Sequence, residues 1–300
     1  MRVRIATRAS RLALAQATMV ADRLGGAELV KITTSGDEGE PRADQSDKAR
    51  FVTEVEAALL DGRADLAVHS AKDLPAEMPP GLELVAVSER RQPLDAMVGP
   101  AGSLDEIPSG ARVGTASVRR RSQLLRLRDD LEVVEIRGNL DTRLRKLDAG
   151  EVDYLVLAAA GLGRLGLSDR IGFLFDPEQM VPAAGQGALA LQARRGDSAA
   201  RAMARALNDS SAAIQFAAER AVLAGLGGDC DTPLGAFAQT VAGGVVEIYA
   251  YVGLPDGSKS CSVRLSADRR EDSIDLAQIA VVDLVESGAV ELIAAARESA

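Results

Sequence analysis

Apolar residues in the first ninety positions come as short runs separated by stretches with helical spacing. Val3 to Ala6 is one such run. Leu12, Leu14, Ala15, Met19 and Val20 then share one helical face, with Ser10 placed to cap the helix and Gly25-Gly26 to stop it. Leu29 to Thr33 predicts a second strand, and the polar stretch from Ser35 to Lys48 follows no period, which predicts a long, lid-like loop. Phe51 to Leu60 has helical spacing. Ala64 to His69 and Leu82 to Val87 are strand-like, with Pro75, Pro79, Pro80 and Gly81 between them. After Pro93 the alternation repeats. Arg112 to Gly114 predicts a strand, Ser117 caps a basic helix from Val118 to Arg128, Val133 to Ile136 is a strand, Leu140 to Leu147 a helix, and Tyr154 to Ala159 a buried strand. Such strand-helix alternation predicts mainly parallel sheets with helices on both faces.

The remainder has a different pattern. Pro182 to Gly187 breaks the chain, Ala188 to Gln192 is strand-like, and Asp209-Ser210-Ser211 caps a helix from Ala212 to Ala224 that Gly225 ends. Gly227 to Pro233 is loop. Ala236 to Gln239, Val245 to Val252 and Ser260 to Leu265 then alternate as an antiparallel meander, closed by a helix from Asp275 to Ala295. The expected fold class is α/β, with two α/β domains and a small C-terminal α+β domain.

Composition narrows the function classes. At 300 residues the chain exceeds one usual core, so two or three domains are expected. It contains no apolar run of membrane-spanning length, and Met1 to Ile5 leads into a strand without a signal-peptide core, so a soluble cytoplasmic protein with no membrane partner is expected. A net charge of -9 argues against a general nucleic-acid binder, and no Trp with 3% aromatic residues argues against base-stacking platforms. A small-molecule partner is expected instead. Cys230 and Cys261 form neither a disulfide framework nor a metal cluster; no metal is expected, and any metal would have to be carboxylate-bound.

Four stretches carry candidate chemistry. Leu66 to Pro75 is an apolar strand that breaks into Ser70-Ala71-Lys72-Asp73, and loops leaving the carboxyl ends of strands form the ligand crevice of α/β sheets. An ordinary strand exit with a surface Lys/Asp pair reads the same way, and His69, the only histidine, reads as a hydrogen-bonded core residue. The densest signal is Gly114 to Arg121, joined by Arg137-Gly138-Asn139 and Thr142-Arg143. Arg119 and Arg120 in a helix's first turn oppose its macrodipole, so something anionic should compensate; a solvated basic face is the plainer alternative. Gly161-Leu162-Gly163-Arg164-Leu165-Gly166 matches a dinucleotide fingerprint, but Ser168, Asp169, Gly172 and Pro177 leave no room for the helix and acid that fingerprint needs, which argues against a nicotinamide enzyme. Finally, Gly227 to Pro233 places Cys230 in a glycine-rich loop, where a thiol could carry a covalent group or be inert.

In order along the chain, Ala6-Thr7-Arg8-Ala9-Ser10-Arg11-Leu12-Ala13, His69-Ser70-Ala71-Lys72-Asp73, Gly114-Thr115-Ala116-Ser117-Val118-Arg119-Arg120, Arg137-Gly138-Asn139, Pro182-Ala183-Ala184-Gly185-Gln186-Gly187-Ala188 and the Gly227-Gly228-Asp229-Cys230 loop closely resemble the porphobilinogen deaminase, or hydroxymethylbilane synthase, family. The resemblance runs nearly end to end. It implies a transferase of tetrapyrrole (heme) biosynthesis that joins four porphobilinogen units head to tail with release of ammonia, on a dipyrromethane primer held as a thioether by Cys230. It further implies Asp73 as the catalytic aspartate, and Lys72, Ser70, Thr115, Ser117, Arg119, Arg120, Arg137 and Arg143 as ligands of the primer. Arg8, Ser10, Gln16, Arg170 and Gln186 would face the incoming substrate. The implied architecture has two periplasmic-binding-protein-like α/β domains, the first of 1–90 with 186–205 and the second of 91–185, and a third domain of 206–300 carrying the cysteine loop; a monomer is expected. One region departs from the family pattern: Ala43 to Arg50 lacks the usual glycine- and lysine-rich lid, and only Lys48 and Phe51 clearly match. The competing class is a noncatalytic binding module for a small polyanion, to which the arginine cluster would serve equally.

Overall fold

The computed structural model describes residues 2–32, 47–75, 78–228, 232–268 and 273–298, with side-chain surroundings for all of these except 47–51. The chain forms two compact units, Met1–Arg91 with Gly187–Ala213 and Gln92–Gln186 with Ile214–Ala300. In chain order the elements are β1 (Arg4–Arg8), α1 (Arg11–Arg23), β2 (Glu28–Ile32), α2 (Asp47–Leu60), β3 (Leu66–Ser70), β4 (Leu82–Val87), β5 (Asp95–Val98), β6 (Arg112–Gly114), α3 (Val118–Leu127), β7 (Glu132–Val134), α4 (Leu140–Asp148), β8 (Tyr154–Ala158), α5 (Ala159–Arg164) and β9 (Ile171–Leu174). They continue with β10 (Leu189–Arg194), α6 (Ser198–Ala204), α7 (Ser210–Gly225), β11 (Leu234–Thr240), β12 (Val246–Gly253), β13 (Ser260–Ala267), α8 (Ser273–Glu286) and α9 (Ala289–Glu298).

The first unit is built on one sheet of order β2-β1-β3-β10-β4. β1 runs parallel to β2 and β3, whereas β10 is antiparallel to both β3 and β4. Strand side chains alternate between two cores. Leu66 and Val68 of β3 pack with Ala17 and Val20 of α1, and Ala67 packs with Val55 and Leu59 of α2 on the other face. The second unit repeats the plan in the order β7-β6-β8-β5-β9, with β6 parallel to β7 and β8 and β5 reversed against β8 and β9. That unit also holds the antiparallel sheet β11-β12-β13. Its own core joins Val222 of α7, Ile248 of β12, Leu284 of α8 and Ile293 of α9. No helix among the described residues is long and apolar enough to cross a membrane.

The α/β class and the small antiparallel sheet match expectation, and each main sheet is parallel except for one reversed strand. Several elements differ. β5 and β9 were not anticipated: β5 is four residues beginning at a charged Asp95, and Gly172 interrupts β9. That glycine has a steric reason, because a Cβ there would lie 2.2 Å from the Ala101 carbonyl oxygen. The short α6 was also unforeseen. The expected long C-terminal helix is two, parted at Gly288, whose φ of 91° ends the first. Gly225 does not stop α7 but lies in its last turn, where a Cβ would meet Val281 of α8 at 2.7 Å; Gly227 takes the left-handed stop at φ 61°. A helix does occupy the 161–166 glycine stretch, contrary to expectation. It begins at Ala159, two residues ahead of the first glycine, and ends at Arg164, so it is one short turn-and-a-half rather than a phosphate-binding helix. α2 begins at Asp47, before the expected Phe51, and most of the expected 35–48 loop lies outside the described residues.

Candidate active site

β1 and β3 are parallel neighbours, pairing Ile5 with Leu66 and Ala6 with Ala67, so their carboxyl ends lie at one edge of the first sheet. Arg8 ends β1, and Ser10 caps α1 by accepting from the Ala13 N–H at 3.4 Å. β3 ends at Ser70 and turns at once into a single 3-10 turn, Ala71–Asp73, which presents half-buried Lys72 and Asp73 at that edge. Alternation along β3 sends its last two side chains to opposite faces. Ser70 meets α1, where the Gln16 amide donates to its hydroxyl at 2.9 Å. His69 meets the other face: its Nε2 lies 3.1 Å from Gln192 Oε1 of β10, and the Gln192 amide donates to Glu56 Oε1 of α2 at 2.8 Å. Burial pushes His69 down to about 4, and it pushes the Glu56 carboxyl up, with the Gln192 bond partly offsetting the latter.

The corresponding edge of the second unit holds the arginine cluster. Thr115 follows β6, and its Oγ1 accepts from the Ser117 N–H at 3.2 Å. Ser117 caps α3 by accepting from the Arg120 N–H at 3.4 Å, as Ser10 caps α1 in the first unit. Arg119 and Arg120 do not lie on a solvated face; both are buried against Asp95, itself 0% exposed. Arg119 Nη1 donates to Asp95 Oδ2 at 2.7 Å and to the Val181 carbonyl at 2.6 Å. Arg120 donates through Nε to Asp95 Oδ1 at 2.8 Å and through Nη1 to the Val156 carbonyl at 3.1 Å. Gln186, fully buried, donates to Asp95 Oδ1 at 3.0 Å and to the Pro93 carbonyl at 2.7 Å. Burial alone would raise the Asp95 carboxyl, but Arg119 and Arg120 hold it well below the usual carboxylate range.

The anion that the helix start requires is thus in part internal. Asp95 went unrecognised in the sequence because it is 24 residues from Arg119 and opens an unanticipated strand. Arg119 and Arg120 approach this one carboxylate through different oxygens, and each also donates to a backbone carbonyl. The more exposed arginines engage local acceptors: Arg137 donates to Glu135 at 2.6 Å, Arg143 to the Gly138 carbonyl at 2.8 Å, and Arg170 to Asp148 at 2.5 Å. The structure therefore groups Arg119, Arg120 and Gln186 around Asp95, pairs Thr115 with Ser117 and Gln16 with Ser70, and gives Arg137, Arg143 and Arg170 separate partners. Glu56 and Gln192 were also missed, Glu56 being one of several charged residues of α2 and Gln192 a single polar residue within β10, 136 positions away. Cys230, with Asp229 and Asp231, lies outside the described residues. Among the described residues no cluster of metal-ligating side chains occurs. A donor set of guanidinium groups and hydroxyls fits a ligand bearing several carboxylates.

Comparison with known proteins decides the family. Residues 3–202 match the family model "Porphobilinogen deaminase, dipyromethane cofactor binding domain", and residues 213–286 match "Porphobilinogen deaminase, C-terminal domain". The chain belongs to the porphobilinogen deaminase family. As a porphobilinogen deaminase it is a hydroxymethylbilane synthase, a transferase that polymerises porphobilinogen into hydroxymethylbilane in tetrapyrrole biosynthesis, with dipyrromethane as its cofactor. Among solved structures the chain is similar to the periplasmic VFT2 domain of Bordetella pertussis BvgS, at 18% identity over 68% of this chain and 86% of that one with a TM-score of 0.39. It is also similar to a TRAP periplasmic solute binding protein from Ralstonia eutropha H16, at 13% identity over 69% of this chain and 76% of that one with a TM-score of 0.41.

Proposed function

We propose that Asp73 is the catalytic carboxylate of this deaminase and that Cys230 carries the dipyrromethane as a thioether. The observation that carries the first assignment is the turn after β3, which brings a carboxylate to the carboxyl edge of the sheet directly after a strand whose last two side chains, His69 and Ser70, are hydrogen-bonded. Dipyrromethane, when bound, supplies the pyrrole α-carbon to which the first substrate unit is joined. Asp73 then acts on the substrate: its carboxylate accepts hydrogen bonds from pyrrole N–H groups and offsets the positive charge that develops as the aminomethyl nitrogen leaves as ammonia. Its oxygen then takes the proton that the attacked pyrrole carbon gives up as the new carbon–carbon bond forms and passes it to the departing ammonia, so each addition ends with Asp73 again a carboxylate.

The ligand assignments follow from charge and placement. Lys72, Ser70, Thr115, Ser117, Arg119, Arg120, Arg137 and Arg143 are the proposed ligands of the primer's acetate and propionate groups. Arg119 and Arg120 bring two guanidinium groups to the start of α3, and Arg137 and Arg143 present more exposed heads whose local acceptors can be exchanged for ligand carboxylates. Arg8, Ser10, Gln16, Arg170 and Gln186 are the proposed substrate residues. Among them Gln16 and Gln186 are buried and work by fixing Ser70 and Asp95, respectively. The reading assigns 1–90 with 186–205 to the substrate and catalytic domain, 91–185 to the arginine-rich cofactor domain and 206–300 to the cysteine-bearing domain, in a monomeric cytoplasmic enzyme.

Replacing Asp73 tests the mechanism. Asp73→Asn should keep the fold and the primer mass while porphobilinogen consumption falls by about 10² to 10⁴, the usual worth of a positioned acid-base group. Wild-type turnover in that variant removes Asp73 from the mechanism.

A further inference from the structure

The proposed chemistry uses Asp73 but gives no task to the polar chain beneath it. His69, Gln192 and Glu56 are all buried, and they come from three different elements of the first unit, β3, β10 and α2. The amide of Gln192 gives the chain a direction. Its N–H donates to Glu56, so its oxygen is the end that faces His69, and the imidazole must donate from Nε2. Burial, which lowers the imidazole to about 4, keeps His69 neutral near pH 7. Satisfied as it is, such a chain contributes less to stability than well-packed apolar side chains of similar volume, because a carboxyl with no cation beside it among the described residues is costly to bury. The surrounding positions are apolar: Ala67, Val55 and Leu59 fill the same face.

Its location supplies the reason. His69 and Ser70 are the last two residues of β3, and Ala71–Asp73 follows without a spacer. Each of the two is fixed to a different helix, Ser70 directly to Gln16 of α1 and His69 through Gln192 to Glu56 of α2. The backbone ladders to β1 and β10 set the register of β3, and polar links on both faces of its last two residues add a fixed direction to its exit that non-directional apolar contacts do not supply. The charge of Asp73 is also felt at the His69 ring, so the two side chains are near enough to be coupled.

We infer that His69, Gln192 and Glu56 are positioning residues for the catalytic turn: the imidazole N–H, held by the Gln192 amide that is itself held by Glu56, fixes where β3 delivers Asp73. This rests on the assignment of Asp73 as the catalytic carboxylate. It gives His69 a hydrogen-bond donor's role and no role in proton transfer.

Steady-state kinetics with porphobilinogen on the primer-loaded enzyme test the inference, with intact mass confirming the primer in each variant. His69→Phe keeps the ring and removes the donor; Gln192→Leu removes both links. Each should lower kcat about tenfold while KM changes less than about twofold, since misplacement of a reacting group acts on the chemical step. His69→Gln, whose amide can donate from a similar place but cannot titrate, should recover kcat to within about threefold of wild type, roughly the spread expected for a retained neutral hydrogen bond. Wild-type kcat in His69→Phe overturns the inference, as does a His69→Gln enzyme no better than His69→Phe. If His69→Phe fails to fold, Glu56→Gln against Glu56→Leu decides, because only the former keeps an acceptor for Gln192; equal kcat in that pair overturns the inference. Asp73→Asn, measured alongside, separates the two levels. An active Asp73→Asn enzyme overturns the catalytic assignment itself, whereas an inactive one beside a fully active His69→Phe overturns only the positioning role.

Discussion

Asp95 and His69 are both buried ionisable groups, and the protein treats them oppositely. Asp95 keeps its charge because two guanidinium groups face it; His69 gives its charge up because burial outweighs the Gln192 bond and the Asp73 charge. Removing the Asp95 charge would leave Arg119 and Arg120 buried without their anion. Asp95→Asn should therefore cost about 3–5 kcal/mol of stability, read as a lower midpoint in urea unfolding. His69 sets a pH dependence of definite sign. Its value is 6.5 in the unfolded chain and about 4 in the fold, so between these pH values the unfolded state binds more protons and stability falls as pH drops. The raised Glu56 carboxyl acts in the opposite sense above its ordinary 4.5, and the Asp73 charge opposes the lowering of His69. Comparing urea midpoints at pH 7 and pH 5, wild type should lose more stability than His69→Gln; equal losses would show that His69 does not carry the dependence. At this scale the sequence disclosed clusters of like residues, and so the arginines, but not their partners. Asp95, Glu56 and Gln192 are distant in sequence from the groups they bind, and no local pattern marks them.

Periodicity made most elements legible, because apolar residues spaced for one buried face are what a strand or helix in this fold requires. The failures are short elements whose place is set by neighbours. β5 begins at a buried aspartate that reads as a surface residue, and β9 has a glycine where a strand would be expected to carry a side chain. In both cases tertiary contact overrides local preference: Asp95 is neutralised by α3, and Gly172 lets the Ala101 carbonyl approach. Gly172→Ala should accordingly cost about 1–3 kcal/mol, as overpacking does, and displace β9 from the sheet edge. Amide hydrogen exchange checks this, with protection falling first at Ile171–Leu174; unchanged protection there would contradict the steric account. Gly225 teaches a similar lesson. Its sequence position suggested a helix stop, yet its use is the close approach of α8 through Val281.

For the molecule as a whole, each unit places a strand, a capping serine and a helix in the same order, β1 and Ser10 ahead of α1 and β6 and Ser117 ahead of α3. Each puts its candidate chemistry at the carboxyl ends of the parallel strands. That repetition was visible as alternation, but the function was not readable from alternation; it came from six short motifs in order and is carried by the family match over 3–202 and 213–286. What the fold adds is the internal wiring of the motifs, which side chain holds which. The central claim is an enzyme that builds its product on a primer held by Cys230, with Asp73 driving each addition. The most direct test is intact mass before and after one equivalent of porphobilinogen, for wild type, Cys230→Ser and Asp73→Asn. Wild type should exceed the 31.3 kDa chain by one dipyrromethane and gain pyrrole units on mixing. Asp73→Asn should carry the primer without gaining units, and Cys230→Ser should carry neither. A Cys230→Ser protein with the primer's extra mass, or an Asp73→Asn protein that extends like wild type, would contradict the account.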